Sequence, residues 1–277
     1  MTYSIVGADT ATREVGGAGT SCLTGDDVYV IYRGVPGHGV VHAQAYYSLD
    51  GRDRAAEMLG LGDAPADIVA MITDTSFDRN AAIRQYGIVD VHGNTAGYTG
   101  TGTMAYASDR QGKVGHFAYS VQGNILTSAK VLEHAANAFE GGGCDLAERL
   151  LSALEAGARG GEGDSRCTGH GIPSDSAFLQ VESASTAEGA YLSLHVESSG
   201  DENPLPLLRA QLDAWRVQHP CPVATTAKAS TKSDPSCSCN GAGAPPDDAT
   251  AWLLGGLLVV AGWRQRAARQ LRPIQAP

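Results

Sequence analysis

Hydrophobic and polar positions alternate from the first residues of the chain, and the alternation returns in short runs separated by glycine-rich turns. Met1 to Ala8 sets Tyr3, Ile5 and other strand formers among hydroxyl-bearing or small residues, which predicts a β-strand starting at the first residues. Glu14 to Cys22 and Asp27 to Arg33 read as two short strands; Thr24-Gly25-Asp26 between them has turn composition, so a hairpin is expected. Gly34 to Gly39, with Pro36, Gly37 and Gly39, reads as a loop, and His38 and His42 flank a short strand through Val41. Helical spacing of apolar residues follows in Arg52 to Leu61 and Ala66 to Asp74, interrupted by Gly60, Gly62 and Pro65, which is a helical pair or one broken helix. Gln85 to Val91 and Asn94 to Thr99 predict a second hairpin. The Gly/Thr run Thr99 to Thr103 lacks the Gly-Lys-Ser/Thr ending of a phosphate loop and reads as a turn at a sheet edge.

Val114 to Val121 is a strand of alternating character that runs into Gln122-Gly123-Asn124, with a helix from about Ser128 to Phe139 after it. Two uses of Asn124 stay open: its amide can donate to a developing oxyanion, or it can make the turn and cap local backbone donors. Gly141-Gly142-Gly143 breaks the helical run, and Asp145 starts a second helix that ends near Arg159-Gly160-Gly161. Ser176 to Val181 and Ala190 to Val196 are the last strands, and Pro204 to Val217 is the last helix, with Leu205, Leu208, Leu212 and Trp215 on one side. Strands, two helices, strands, two helices, strands and a helix make an α+β pattern.

After His219 the pattern stops, which divides the chain into 1–219, 220–248 and 249–277. Residues 220–248 are rich in Ala, Thr, Ser, Pro and Gly and read as a flexible linker. Ala251 to Trp263 is an apolar and glycine run between Asp247-Asp248 and the basic end Arg264, Arg266, Arg269 and Arg272. It is shorter than the ~20 residues that cross a bilayer, and its flanking charges put the arginines on the cytoplasmic side.

A formal charge of −10 argues against a nucleic-acid partner, because phosphate binding needs clustered Lys and Arg. The six cysteines form no C-x-x-C pair, so no structural metal is expected. If they pair, Cys144 with Cys167, flanking a helix, is the expected disulfide, and Cys22 is expected as a buried thiol. No signal-peptide pattern precedes the first strand, so the chain is either cytoplasmic or numbered from a point after a removed leader.

Thr2 carries the candidate chemistry. Removing Met1 leaves a hydroxyl nucleophile and an α-amine with a pKa of about 8 on one residue. Thr2 to Val6 (TYSIV), Tyr119 to Asn124 (YSVQGN) and Leu146 to Ala156 (LAERLLSALEA) resemble, in that order, the family called domain of unknown function 1028. That family resembles a branch of the N-terminal-nucleophile (Ntn) hydrolases. The resemblance covers roughly Thr2 to His219. It implies a four-layer αββα sandwich and an amide-bond hydrolase with Thr2 as nucleophile, Asn124 or backbone donors at the oxyanion, and no cofactor. It also suggests Arg33 as a cation that acts on the nucleophile by its field alone, since arginine keeps its proton. Ser4 is the runner-up nucleophile. Gly161 to Arg166 (GEGDSR) matches by type a Gly-Gly-Asp-Arg-like segment of the family, which makes Asp164 and Arg166 substrate-binding candidates beside His42; a surface salt bridge is the alternative for the pair.

Cys237-Ser238-Cys239, the Pro245-Pro246 spacer, the short apolar helix and the basic end resemble the MYXO-CTERM sorting tail. That resemblance implies export, a sorting protease acting on the tail and attachment to the membrane at the cell surface. Three functions are therefore expected, in this order: a surface Ntn hydrolase for a small-molecule or peptide amide, a non-catalytic module that binds cell-wall fragments, and a cytoplasmic enzyme with a tail anchor. Whether the protein is a monomer or a homo-oligomer is open at this level.

Overall fold

The structure, a computed structural model, describes residues 2–23, 27–185, 190–197 and 202–221. The expected turn Thr24-Gly25-Asp26, the linker beyond Cys221, the Cys-Ser-Cys motif and the apolar run lie outside them. In chain order the described residues form β1 (Thr2–Asp9), β2 (Glu14–Ser21), β3 (Tyr32–Val35), β4 (Gly39–Ala45), α1 (Leu49–Leu61), α2 (Pro65–Ile72), β5 (Arg84–Asp90) and β6 (Thr95–Thr99). There follow β7 (Ser108–Val114), β8 (Phe117–Asn124), α3 (Lys130–Gly141), α4 (Leu146–Gly157), α5 (Ser165–Thr168), β9 (Ser176–Ser183), β10 (Ala190–Val196) and α6 (Pro204–Arg216). The strands make two antiparallel sheets, ordered β10-β9-β2-β1-β8-β7 and β3-β4-β5-β6. This is the expected α+β class.

Three apolar clusters hold the elements together. Tyr3 and Ile5 of β1 join β8, β9 and the buried faces of α3, α4 and α6. Val41, Ala43 and Ile88 of the smaller sheet join α1 and α2. Val6, Ala8, Val15, Val40, Val89 and Phe178 pack between the two sheets. The period-two alternation of β1 therefore sends Tyr3 and Ile5 to the helices, and Val6 and Ala8 to the other sheet. Thr2 and Ser4 share the face of Val6, so the layer between the sheets is polar at the start of β1 and apolar at its end.

The expected Glu14-to-Arg33 hairpin does not form. Both edges of β2 are already paired, by β1 and β9. Instead Asp27 accepts from the Tyr29 N–H (2.8 Å) and starts a 3-10 turn, Val28–Ile31, whose Val28 and Ile31 bury between the sheets; β3 then pairs with β4. The strand expected from Val114 to Val121 is two strands, turning at Gly115, whose φ of 57° favours glycine. Asp145 caps α4 as expected, accepting from the Glu148 N–H at 3.0 Å.

The disulfides also differ from expectation. Cys22 pairs with Cys167 and Cys144 with Cys221, so Cys144 is not bonded to Cys167 and Cys22 is not a free thiol. The whole of α4 stands between Cys144 and Cys167, while Asp164 draws the Cys167 turn onto the end of β2 by accepting from the Cys22 N–H at 2.9 Å.

Candidate functional site

Antiparallel pairing within the two sheets brings four strand ends to one cavity. Thr2 begins β1, Asn124 ends β8, Ala45 ends β4 and Arg84 begins β5. Together with Gln44, Leu23, Ile31, Met104 and Arg166 they line a cavity of about 400 Å³, within the ~300–1,000 Å³ usual for small-molecule sites. Thr2 lies directly between Ser21 and Asn124 in register, and its hydroxyl donates to Ser21 Oγ at 3.2 Å.

Under Thr2 the polar end of the intersheet layer is a hydrogen-bonded network. Gln44 Nε2 donates to the Thr2 carbonyl (3.1 Å) and to Gln85 Oε1 (2.8 Å), which also accepts from Asn124 Nδ2 at 3.0 Å. Gln85 Nε2 in turn lies 2.9 Å from Thr99 Oγ1, 3.0 Å from the Ser108 carbonyl and 2.8 Å from the Gly123 carbonyl. Buried amides of this kind are stable only when both ends are satisfied, and here they fix the side chains that flank Thr2.

Asn124 ends β8, and α3 begins only at Lys130, so Asn124 is not that helix's cap. Its Nδ2 has two N–H groups, one of which Gln85 takes.

Asp164 and Arg166 come together as a buried-to-exposed pair rather than as a surface bridge. Asp164 is 1 % exposed and receives Arg166 Nη2 at 3.0 Å, Nε at 3.3 Å and the Arg166 backbone N–H at 2.9 Å. Arg166 lines the cavity, and Asp164 stands behind it. The segment Cys167 to Pro173, which stands between this pair and the strand β9, is tied back to it: the Asp164 N–H donates to the Pro173 carbonyl, and Cys167 is bonded to Cys22.

His42 and Arg33 are not part of the cavity wall. His42 is fully buried between the sheets, against Tyr32 and Phe178, and burial lowers its pKa to about 3. Ser4 Oγ donates to Gln44 Oε1 (2.6 Å) and accepts from Gln122 Nε2 (2.8 Å), so the His42 Nδ1 contact at 2.9 Å is a donation from the imidazole to Ser4. An imidazole that donates to Ser4 is not its base, and Ser4 is buried at 1 % exposure behind the network. Arg33 is exposed on β3, opposite Val41, and its field acts on Glu182 of β9. His38 is exposed in the β3–β4 turn.

The sulfurs of Cys22 and Cys167 lie near an Asp175 carboxylate oxygen, but they are joined to each other and offer no thiolate to a metal. Gln44, Gln85 and Arg84 are the site residues not singled out from the sequence. The signal they leave is a glutamine at an inward strand position in the apolar runs GVVHAQA and RQYGIVD.

No curated protein matches the chain. Among solved structures, the crystal structure of protein SPO2555 from Silicibacter pomeroyi, which carries the designation DUF1028, is similar to it. The TM-score is 0.64 at 24 % identity, over 78 % of this chain and 89 % of that one, a likeness of fold. Residues 2–207, which hold Thr2, Asn124, Asp164 and Arg166, match the model described as a family of unknown function, DUF1028, and the chain belongs to that family.

Proposed function

We propose that the protein is an Ntn-type hydrolase of a small or peptide-like amide, with Thr2 as nucleophile. The observation that carries this reading is the position of Thr2 at the first residue of a central strand, on a cavity of about 400 Å³, with Asn124 opposite it in register. The order of the apolar clusters supports the matching αββα sandwich: α1 and α2, the four-stranded sheet, the six-stranded sheet, then α3, α4 and α6.

In this reading the α-amine of Thr2, freed by processing, takes the hydroxyl proton as Oγ1 attacks the amide carbonyl. The second N–H of Asn124 Nδ2 donates to the oxyanion, and collapse passes the proton to the leaving amine. Water then hydrolyses the ester on Thr2. No step calls on Arg33, which does not line the cavity, or on His42, which is sealed between the sheets.

The two disulfides support export, since such bonds persist in oxidising compartments. The proposal includes surface attachment through the C-terminal segment after a sorting protease has acted on it. Among the described residues no helix is long and apolar enough to cross a membrane.

The test is the intact mass of protein from its native membrane fraction, before and after a β-lactone that acylates N-terminal threonine. A chain that starts at Thr2 and gains one adduct, lost in Thr2→Ala, is the expected result. A Thr2 start with no adduct favours the non-catalytic binding module, and a retained Met1 ends the nucleophile proposal.

A further inference from the structure

Every charged residue on the wall of the Thr2 cavity, among the described residues, is an arginine: Arg84 and Arg166. This runs against the composition of a chain with 30 acidic and 20 basic residues. An aspartate off the wall pairs with each cation. Asp78 Oδ2 receives Arg84 Nε at 2.8 Å, and Asp164 receives Arg166 as described above, yet neither aspartate lines the cavity. Arg84 is further fixed by donating Nη1 to the carbonyls of Tyr46 (2.5 Å) and Tyr47 (3.3 Å). The Asp164–Arg166 pair sits beside the Cys22–Cys167 disulfide, which pins that turn to β2.

Each guanidinium is thus presented to the cavity from a rigid mount. A planar donor fork already held in place loses little further freedom when it meets a carboxylate. Much of the rest of the wall is apolar, with Leu23, Val28, Ile31 and Met104, and the rings of Tyr46 and Tyr47 stand about half exposed. Among the described residues two cations, no acid and a mainly apolar lining select a ligand with one anionic end and one apolar body.

We propose that the cavity takes an amide bearing a carboxylate beside an apolar or aromatic group, with Arg84 and Arg166 holding the carboxylate. The word amide rests on the hydrolase reading above; the preference for a carboxylate stands on the charges of the wall. A charge-assisted contact with guanidinium favours a carboxylate over the carboxamide of the same shape by about tenfold or more.

The experiment uses the full chain carrying Thr2→Ala, so that binding is read without turnover. Calorimetry compares N-acetylphenylalanine with N-acetylphenylalaninamide, and 4-phenylbutyrate with 4-phenylbutanamide, with phenyl phosphate in parallel. The expected result is that each carboxylate binds about tenfold tighter than its carboxamide. Arg84→Gln and Arg166→Gln should each lose most of that preference, carboxylate binding falling by more than carboxamide binding, with thermal unfolding confirming that the variants fold. Should an arginine variant unfold, the matched pairs on the Thr2→Ala chain still decide. Equal or better binding of the carboxamides, no carboxylate binding at millimolar concentration, or a preference that survives both substitutions overturns the proposal. Phenyl phosphate binding tighter than both carboxylates overturns the carboxylate assignment. Failure of β-lactone labelling with the carboxylate preference intact removes the hydrolase reading alone.

Discussion

Asn124 and Gln85 meet across the two sheets, Asn124 Nδ2 donating to Gln85 Oε1 at 3.0 Å. Asn124 belongs to the strand beside Thr2 and Gln85 to the smaller sheet, so one bond ties the oxyanion candidate to the opposite layer. Gln85 is fully buried and is also bonded to Gln44, Thr99, Ser108 and Gly123. Gln85→Leu keeps the volume but strips partners from the Gln44 and Asn124 donors and from the Ser108 and Gly123 carbonyls. The expected loss is about 3 kcal/mol in urea unfolding, because buried polar groups without partners cost ~1–3 kcal/mol each. A loss below ~1 kcal/mol would mean that the network relaxes freely.

His42 gives the fold an acid limb. Its folded pKa of about 3 lies below the ordinary histidine value of 6.5 because burial disfavours the imidazolium. The unfolded chain therefore binds a proton that the folded chain refuses. The contribution is fully present above pH ~6.5 and is lost, by up to ~1.4 kcal/mol per pH unit, as pH falls toward 3. Glu182, whose pKa is raised chiefly by burial, works in the opposite sense at acid pH. The readout is thus the difference between parent and His42→Gln. Chemical unfolding from pH 7 to pH 4 should show a flatter acid limb in the variant, and parallel limbs would contradict a buried neutral His42.

Local patterns carried much of the fold. Alternation placed β1, and Asp145 followed by leucines at helical spacing placed α4. What local pattern lacks is which face meets which sheet. In sequence Gln44 and Gln85 are only polar residues within apolar runs, and it is the packing of β4 and β5 against β1 and β8 that makes them the floor under Thr2. Arg33 and Arg84 are both arginines near the start of a strand, yet sheet order sends one to Glu182 and the other to the cavity. Cysteine pairing fails for the same reason, since Cys22 and Cys167 are 145 residues apart and meet only through the β2–β9 pairing and the Asp164 turn.

The two disulfides have separable effects. Each closes a long loop, with sequence separations of 145 and 77, so removal of either pair should cost about 3–5 kcal/mol by the loop-entropy estimate. Only Cys22–Cys167 braces the turn that presents Arg166. Cys22→Ser with Cys167→Ser should lower both the melting temperature and the carboxylate preference of the cavity. Cys144→Ser with Cys221→Ser should lower the melting temperature alone. Calorimetric scans and the matched-ligand titration separate the two; an unchanged ligand preference in the first variant would show that the disulfide is not the brace.

Ala45 and Ile125 occupy left-handed backbone at φ 68° and 50°, each directly after a residue of the Thr2 site, Gln44 and Asn124. Non-glycine residues there cost about 1–2 kcal/mol, and both lie on the same cavity wall. β4 ends at Ala45 itself and β8 just before Ile125, and in both places the chain leaves the sheet with Gln44 and Asn124 still held in the network. Ala45→Gly removes the steric cost and adds ~0.5–1 kcal/mol of chain entropy to be lost on folding. The net expectation is a gain of about 0.5 kcal/mol in urea unfolding. Ala45→Val, with a branched side chain at positive φ, should lose more than about 1 kcal/mol. If the glycine variant is instead less stable, the left-handed conformation at Ala45 is not a strained one. If it is more stable but reacts more slowly with the β-lactone, the strain at Ala45 is what holds Gln44 under Thr2.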